Sequence, residues 1–246
     1  MMPRLVKRYQ TAHLIAMNKI AASVQFHWAG SRFGLKISLF AGVLVLGACS
    51  ALPSKPIRAT QYDFGPGALV MQGATRQAPL PALALEEIIT VGGALDNMAV
   101  LYRLGYADAQ ELRPYSQARW SMPPALLVRQ RLRDKLGLQR PVFNAREGLA
   151  LSGAQNPQLP VQLRLELEEF SHYFSAADSS TGLIRLRASL IDVTSAGEKL
   201  LAQRLIVAQR PAATQDAAGG VRALTAATDA AIDDLDQWLQ QQPARP

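Results

Sequence analysis

Hydrophobic and polar residues alternate most regularly between Val161 and Phe170. Val161, Leu163, Leu165 and Leu167 are spaced by Gln162, Arg164, Glu166 and Glu168. A period of two puts the leucines on one face and the charges on the other, which predicts a half-buried strand. A stretch rich in Ser, Ala, Asp and Gly, Ala176–Gly182, reads as a loop. Ile184, Leu186, Ala188 and Leu190 then alternate with Arg185, Arg187 and Ser189 in a second strand, and Leu200–Val207 follows the turn Thr194–Glu198 as a third. Links this short make the three antiparallel neighbours. Arg185 and Arg187 are expected across from Glu166 and Glu168, a pairing worth a few tenths of a kcal/mol each. The period then changes. Val221, Leu224, Thr228, Ala231, Leu235 and Trp238 recur every three or four residues within Ala217–Gln240, predicting a long helix that buries its apolar stripe on a sheet.

The preceding part of the chain is less regular. Leu83–Val91 and Met98–Leu104 read as strands separated by Gly92-Gly93, with Met98, Val100, Tyr102 and Leu104 on one face. Glu111–Trp120 reads as a further strand, weakened by Pro114. Pro123-Pro124 opens a helix that stops at Gly137, because proline suits a first turn that has no N–H partner to lose. Residues 50–81 carry Pro53, Pro56, Pro66, Pro79 and Pro81 and read as a tether. Within it, Tyr62-Asp63-Phe64-Gly65 reads as a short edge strand or a docking segment. The predicted fold is α+β: an antiparallel-rich sheet of five or six strands, with two main helices, near 123–137 and 217–240, packed on one face.

The run Ile37–Leu46 is apolar, follows Arg32 and Lys36, and ends at Leu46-Gly47-Ala48-Cys49. It is too short to span a membrane, which takes ~20 apolar residues, and has the form of an export signal. The ending resembles the lipobox of bacterial lipoproteins, in which the cysteine becomes the lipidated first residue of the mature protein. The boundaries that follow are 1–48 for the signal, with Met1 or Met17 as the start, 49–82 for the lipidated N-terminus and tether, and 83–241 for the folded domain. The formal charge of +7 does not indicate nucleic-acid binding. The leader holds six Lys and Arg and no acid, which leaves 20 basic against 19 acidic residues in the mature part. Cys49 is the only cysteine, so intrachain disulfides and thiolate metal sites are excluded and the core must hold the fold.

Little in the mature chain suggests catalysis. Its one histidine, His172, lies beside Tyr173 and Phe174 and reads as a packed or loop residue rather than a base. No Gly-x-Ser-x-Gly elbow, phosphate-cradling glycine loop or metal-ligand spacing is present. The cluster Arg129, Arg131, Arg133, Lys135 reads first as a solvated helix face, with anionic lipid headgroups or a partner's acidic rim as the alternative. Trp120-Ser121-Met122-Pro123-Pro124 suits a structural corner or a docking surface, since buried tryptophan often anchors interfaces.

Taken in order, several stretches resemble the ABC-type transport auxiliary lipoproteins that accompany MCE-domain lipid transport systems. They are the lipobox at Cys49, Tyr62-Asp63-Phe64-Gly65, Val100-Leu101-Tyr102-Arg103, the corner Ala118–Pro124 with its helix, and Leu167-Glu168-Glu169-Phe170. Arg185–Leu190 with Asp192, and the alanine-rich helix ending at Trp238-Leu239, complete the set. The resemblance implies a non-enzymatic subunit with no cofactor beyond the covalent lipid on Cys49. It implies an MCE-domain protein and its inner-membrane permease and ATPase as partners, and it leaves a homo-oligomer open. Ser50 after the cysteine, where aspartate would resemble an inner-membrane retention signal, points to the periplasmic face of the outer membrane. Tyr62, Phe64, Trp120, Pro123 and Pro124 are the expected partner-binding residues. The rival readings are a structural outer-membrane lipoprotein of another envelope assembly, such as secretion or lipopolysaccharide export, and, further off, a periplasmic hydrolase using His172.

Overall fold

The computed structural model of the chain describes residues 58–67, 80–144, 146–147, 159–194 and 196–242. Cys49, the leader and most of the tether lie outside the described residues. Nine strands form one sheet: β1 (Thr60–Tyr62), β2 (Leu83–Leu85), β3 (Ile89–Thr90), β4 (Ala99–Leu104), β5 (Ala109–Trp120), β6 (Val142–Asn144), β7 (Val161–Ala176), β8 (Ser179–Thr194) and β9 (Gly197–Pro211). The α-helices with described bounds are the single turn α1 (Gly105–Asp108), α2 (Pro124–Leu136) and α3 (Ala217–Gln240), with a 3-10 turn at Gly93–Leu95.

The alternating segments form the antiparallel part of the sheet, β7–β8–β9. The stretch expected as a loop at Ala176–Gly182 is a tight turn at Ala177-Asp178, and both flanking strands run further than their apolar pattern suggested. The bland composition of β8's first residues has a packing cause. Gly182 lies directly under α3, where a Cβ would overlap the backbone of Ala223 and Leu224.

The expected antiparallel-rich sheet of five or six strands is corrected to a larger, mixed one. The second edge of β7 is shared end to end by β2, β3 and β4, all running parallel to it: Leu83 opposite Val161, Ile89 opposite Glu166 and Tyr102 opposite His172. β2–β6 and β1–β5 are parallel as well, while β4–β5 is antiparallel. Parallel pairing needs a long crossover. The chain between β4 and β7 supplies it through β5, α2 and β6. The single strand expected over Leu83–Val91 is broken into β2 and β3, because four steps from Leu85 to Ile89 face three from Leu163 to Glu166. Pro114 is tolerated inside β5 at the irregular register against β4, where Leu101 faces Pro114 but Ala99 faces Arg119. β1 and the short β6 enlarge the sheet beyond its alternating strands.

Both long helices cover one face. Every residue of the expected stripe on α3, from Val221 to Trp238, is buried, and Asp216 caps its start by accepting from the Gly219 N–H at 2.7 Å. On α2, Leu127, Val128, Leu132 and Leu136 are buried. The two helices are joined by ion pairs: Arg131 forks onto Asp229 at 2.7 and 2.8 Å, Lys135 reaches Asp233 at 2.6 Å, and Arg140 reaches Asp236 at 3.0 Å. The opposite face of the sheet carries charged pairs on β7 and β8, beside exposed Leu205 and Val207 of β9. There Arg187 meets Glu168 at 2.6 Å and Glu166 at 3.8 Å, the pairing expected from the alternation. Arg185 faces Glu169 in register, but Glu169 is bound by Arg103 at 3.0 Å.

Gly182→Ala is expected to destabilise the domain by about 3 kcal/mol, the upper end for overpacking, because helix backbone cannot yield as a side chain can. Gly93→Ala, with nothing within 4 Å of the added Cβ, is the neutral control. Urea midpoints of the two variants check this, and equal midpoints would contradict the close contact of α3 with β8.

Candidate functional site

Two groups of sequence-singled residues are brought together. The first is the corner at the end of β5. Tyr62 in β1 lies opposite Trp120, and its carbonyl accepts from the Ser121 N–H at 2.7 Å. Two residues on, Phe64 turns into the core and meets Trp120 edge-on, with ring centroids 5.6 Å apart and planes at 86°. Phe170 of β7 completes a three-ring cluster, 5.6 Å from Trp120 and 6.2 Å from Phe64. Trp120 is 0% exposed, and its indole N–H has no hydrogen-bond partner, so packing alone holds it. The segment expected as a short edge strand or a docking segment thus supplies the strand β1 and, in Phe64, a core residue.

After Phe64 the chain forms a strap along α2. Asp63 accepts from the Gly65 N–H at 2.7 Å, and a Cβ on Gly67 would overlap the guanidinium of Arg131. Strap and helix enclose a cleft of about 80 Å³ lined by Asp63, Phe64, Gly65, Met122, Gln130 and Arg131, among others. That is far below the ~300 Å³ of a small-molecule pocket. Pro124 is buried, while Pro123 and Tyr62 are half-buried at the rim. Trp120 and Pro124, and nearly all of Phe64, are thus closed to direct contact from outside. Of the five expected docking residues, only Tyr62 and Pro123 offer surface, with Met122 beside them.

The second group surrounds His172. Its Nε2 is 2.8 Å from Ser180 Oγ of β8 and its Nδ1 is 2.9 Å from the Tyr115 hydroxyl of β5. Phe174 packs 4.4 Å from the imidazole ring. Gly220 of α3 presses on the other side, where a Cβ would overlap Nδ1. Burial holds the His172 pKa down to about 4, with Asp216 opposing only weakly, and burial raises that of Tyr115. A neutral imidazole donates through one nitrogen and accepts through the other, and the two hydroxyls can complement either tautomer. A histidine beside a serine has the outline of a nucleophile and its base. Here, however, the third partner is a protonated phenol rather than a carboxylate, and His172 and Ser180 are both buried. The cluster therefore serves packing. The sequence left His172 as either a packed or a loop residue, and it is packed within β7; nothing in the sequence signalled Ser180 or Tyr115, which lie far along the chain or across a turn from it. No group of His, Cys, Asp and Glu able to hold a metal occurs among the described residues. None of the described helices is long and apolar enough to cross a membrane.

The family model for the ABC-type transport auxiliary lipoprotein component matches residues 64–235. The chain belongs to that family. The matched range begins at Phe64, where the strap enters the core, and ends at Leu235 in the stripe of α3. Membership makes this transport auxiliary lipoprotein an envelope protein associated with an ABC-type transport system, in a family that is not a known enzyme class. A search of curated proteins found no match. Among solved structures, protein XCC0632 from Xanthomonas campestris is similar, with a TM-score of 0.56 and 18% identity over 74% of this chain and 94% of that one. A crystal structure of an uncharacterized protein has a TM-score of 0.50 at 12% identity, over 74% of this chain and 99% of its own. At these identities they show the fold alone.

The buried histidine sets a pH dependence. Below pH 6.5 an unfolded chain protonates its histidine, while the folded one resists until about pH 4. Stability should therefore be flat above pH 7 and fall as pH drops through that window, by roughly 2–3 kcal/mol near its lower end. The Asp216 carboxyl, lowered by its bond from the Gly219 N–H, titrates below this range. Unfolding midpoints of the mature domain and of His172→Asn from pH 8 down to 4.5 check it. The variant should lose most of the slope, and an equal slope in both would assign it to other groups.

Proposed function

We propose that this lipoprotein is the auxiliary subunit of an MCE-type ABC lipid transport system, seating the periplasmic MCE component at the outer membrane. The observation that carries the reading is the family match over residues 64–235, which begins fifteen residues after a lipobox-like cysteine. Cys49 carries the covalent lipid and is the only anchor the reading needs. More than one acyl chain, at ~0.8 kcal/mol per buried methylene, makes release negligible.

The domain acts as a scaffold rather than a carrier. Its corner cleft is small, and the side chains that resemble catalytic ones are consumed in packing. Docking at the corner falls to Tyr62, Met122 and Pro123, which rim a rigid support built from Trp120, Phe64 and Pro124. Rigid aromatic and proline residues lose little entropy on binding, which suits such a rim.

Two outcomes are expected. Cys49→Ala should abolish palmitate labelling and release the protein from membranes; normal labelling would remove the anchor. Affinity purification of the tagged full-length lipoprotein from gently solubilised envelopes should recover an MCE-domain protein, and Tyr62→Ala with Pro123→Ala should reduce that recovery while the domain stays folded at the assay temperature. Recovery of a secretion or lipopolysaccharide-export assembly instead would favour a structural lipoprotein of that assembly.

A further inference from the structure

Helix α2 divides its cations by face. Arg131 and Lys135, with Arg140 beyond the helix end, are neutralised by Asp229, Asp233 and Asp236 of α3. Arg129 and Arg133 point the other way. Neither has an ion-pair or side-chain hydrogen-bond partner among the described residues, and Nε of Arg129 is shielded from water without one. Leu126 shares their face at 47% exposure, and Leu138, just past the helix, is 51% exposed. Together with Gln130 and Asp134, these α2 residues line an open depression of about 430 Å³. Asp134 borders it on the strap side, next to Arg131. Leucine and arginines at positions i, i+3 and i+7 make a helix face suited to the membrane interface, apolar enough to enter it and cationic enough to be drawn to it.

The chain's course decides what this face meets. Cys49 lies nine residues before Arg58, and nine extended residues reach at most roughly 30 Å. From Arg58 the chain passes through β1 straight into the strap, which lies along α2 at Leu127, Gln130 and Arg131. An anchor at Cys49 therefore delivers the domain to the bilayer with α2 within reach of the headgroups. We propose that the exposed face of α2, built on Leu126, Arg129 and Arg133, rests on the anionic lipid surface that holds the Cys49 lipid. This inference rests on the lipidation of Cys49 proposed above.

The test uses the mature lipidated protein carrying a nitroxide at Leu126→Cys, reconstituted in vesicles. Flotation first reads the anchor, and collisional quenching by oxygen and by a water-soluble nickel chelate then reads the depth of the label. In vesicles of phosphatidylethanolamine and phosphatidylglycerol the label should be immersed. In phosphatidylcholine vesicles, or with Arg129→Ala and Arg133→Ala added, the equilibrium for immersion should fall about 25-fold, about fivefold per arginine. An unchanged melting temperature of the double variant keeps this separate from misfolding. A protein that floats while its label stays equally accessible to the nickel chelate in both vesicle types overturns the proposal and leaves the anchor standing. A protein that does not float overturns the anchor and the proposal with it. Protection seen only in native envelopes, and absent from pure lipid, overturns it in favour of an acidic protein partner on this face.

Discussion

The fold depends on one strand keeping one face apolar along its whole length. β7 runs for sixteen residues and bonds to β8 on one edge and to β2, β3 and β4 in turn on the other. Strict alternation would carry Leu163, Leu165 and Leu167 inward but turn Phe170, His172 and Phe174 outward. The register shift between Leu167 and Glu169 inserts one residue and restores all six to the helix side. The same bulge leaves Glu168 and Glu169 on the polar face, where they meet Arg187 and Arg103. Without that extra residue, either the three-ring cluster at Trp120 would lose Phe170 or the lower half of the sheet would lose its leucines.

The bulge also explains why a histidine is buried. His172 occupies a position in the inward row, where α3 approaches so closely that only Gly220 fits above it and only Gly182 fits on the neighbouring strand. An apolar side chain there would leave Ser180 and the Tyr115 hydroxyl buried without partners, each at a cost of about 1–3 kcal/mol. The imidazole satisfies both and ties β5, β7 and β8 together under the start of α3. The protein has no disulfide to fix that helix. Close backbone approach, one capping aspartate and a saturated polar cluster take the place of a covalent staple. Residue types associated with catalysis thus appear here for reasons of packing, because the cluster is sealed by the helix it positions.

What was legible in the sequence follows from which interactions are local. The three antiparallel strands and both long helices carry their own period and turn signals, and α3 was readable from Ala217 to Gln240. The salt-bridged face of β7 and β8 was readable as well, since opposite charges alternate in register. The parallel half was not. β2 and β3 are three and two residues long, and they exist only because β7, some eighty residues later, offers them an edge. Phe64 followed the same logic in reverse: its place in a proline-broken stretch spoke for an edge or docking segment, while the ring cluster that captures it is assembled from β5 and β7. At the corner the tryptophan–proline motif was readable, but whether it faced a partner or the core depended on Phe170, which no local pattern links to it. Ser180 and Tyr115 were invisible for the same reason.

Charge placement separates the two surfaces of the domain. On the outer face of the sheet three arginines have local acids: Arg103 with Glu169, Arg164 with Glu86 and Glu198, and Arg187 with Glu166 and Glu168. Such pairs add little stability, about 0–1 kcal/mol each, but they cancel the field a distant partner would feel. On α2 the cations facing α3 are cancelled and those facing away are not. For a protein free in solution, two unpaired arginines and one exposed leucine would give negligible affinity for any surface. With the proposed lipid on Cys49, nine residues before Arg58, the same contacts become intramolecular, at an effective concentration in the millimolar range or above. Under the proposed lipidation of Cys49, a weak face then suffices to choose one orientation of the domain among the many that an anchor alone permits, and the proposed seating role requires such a choice.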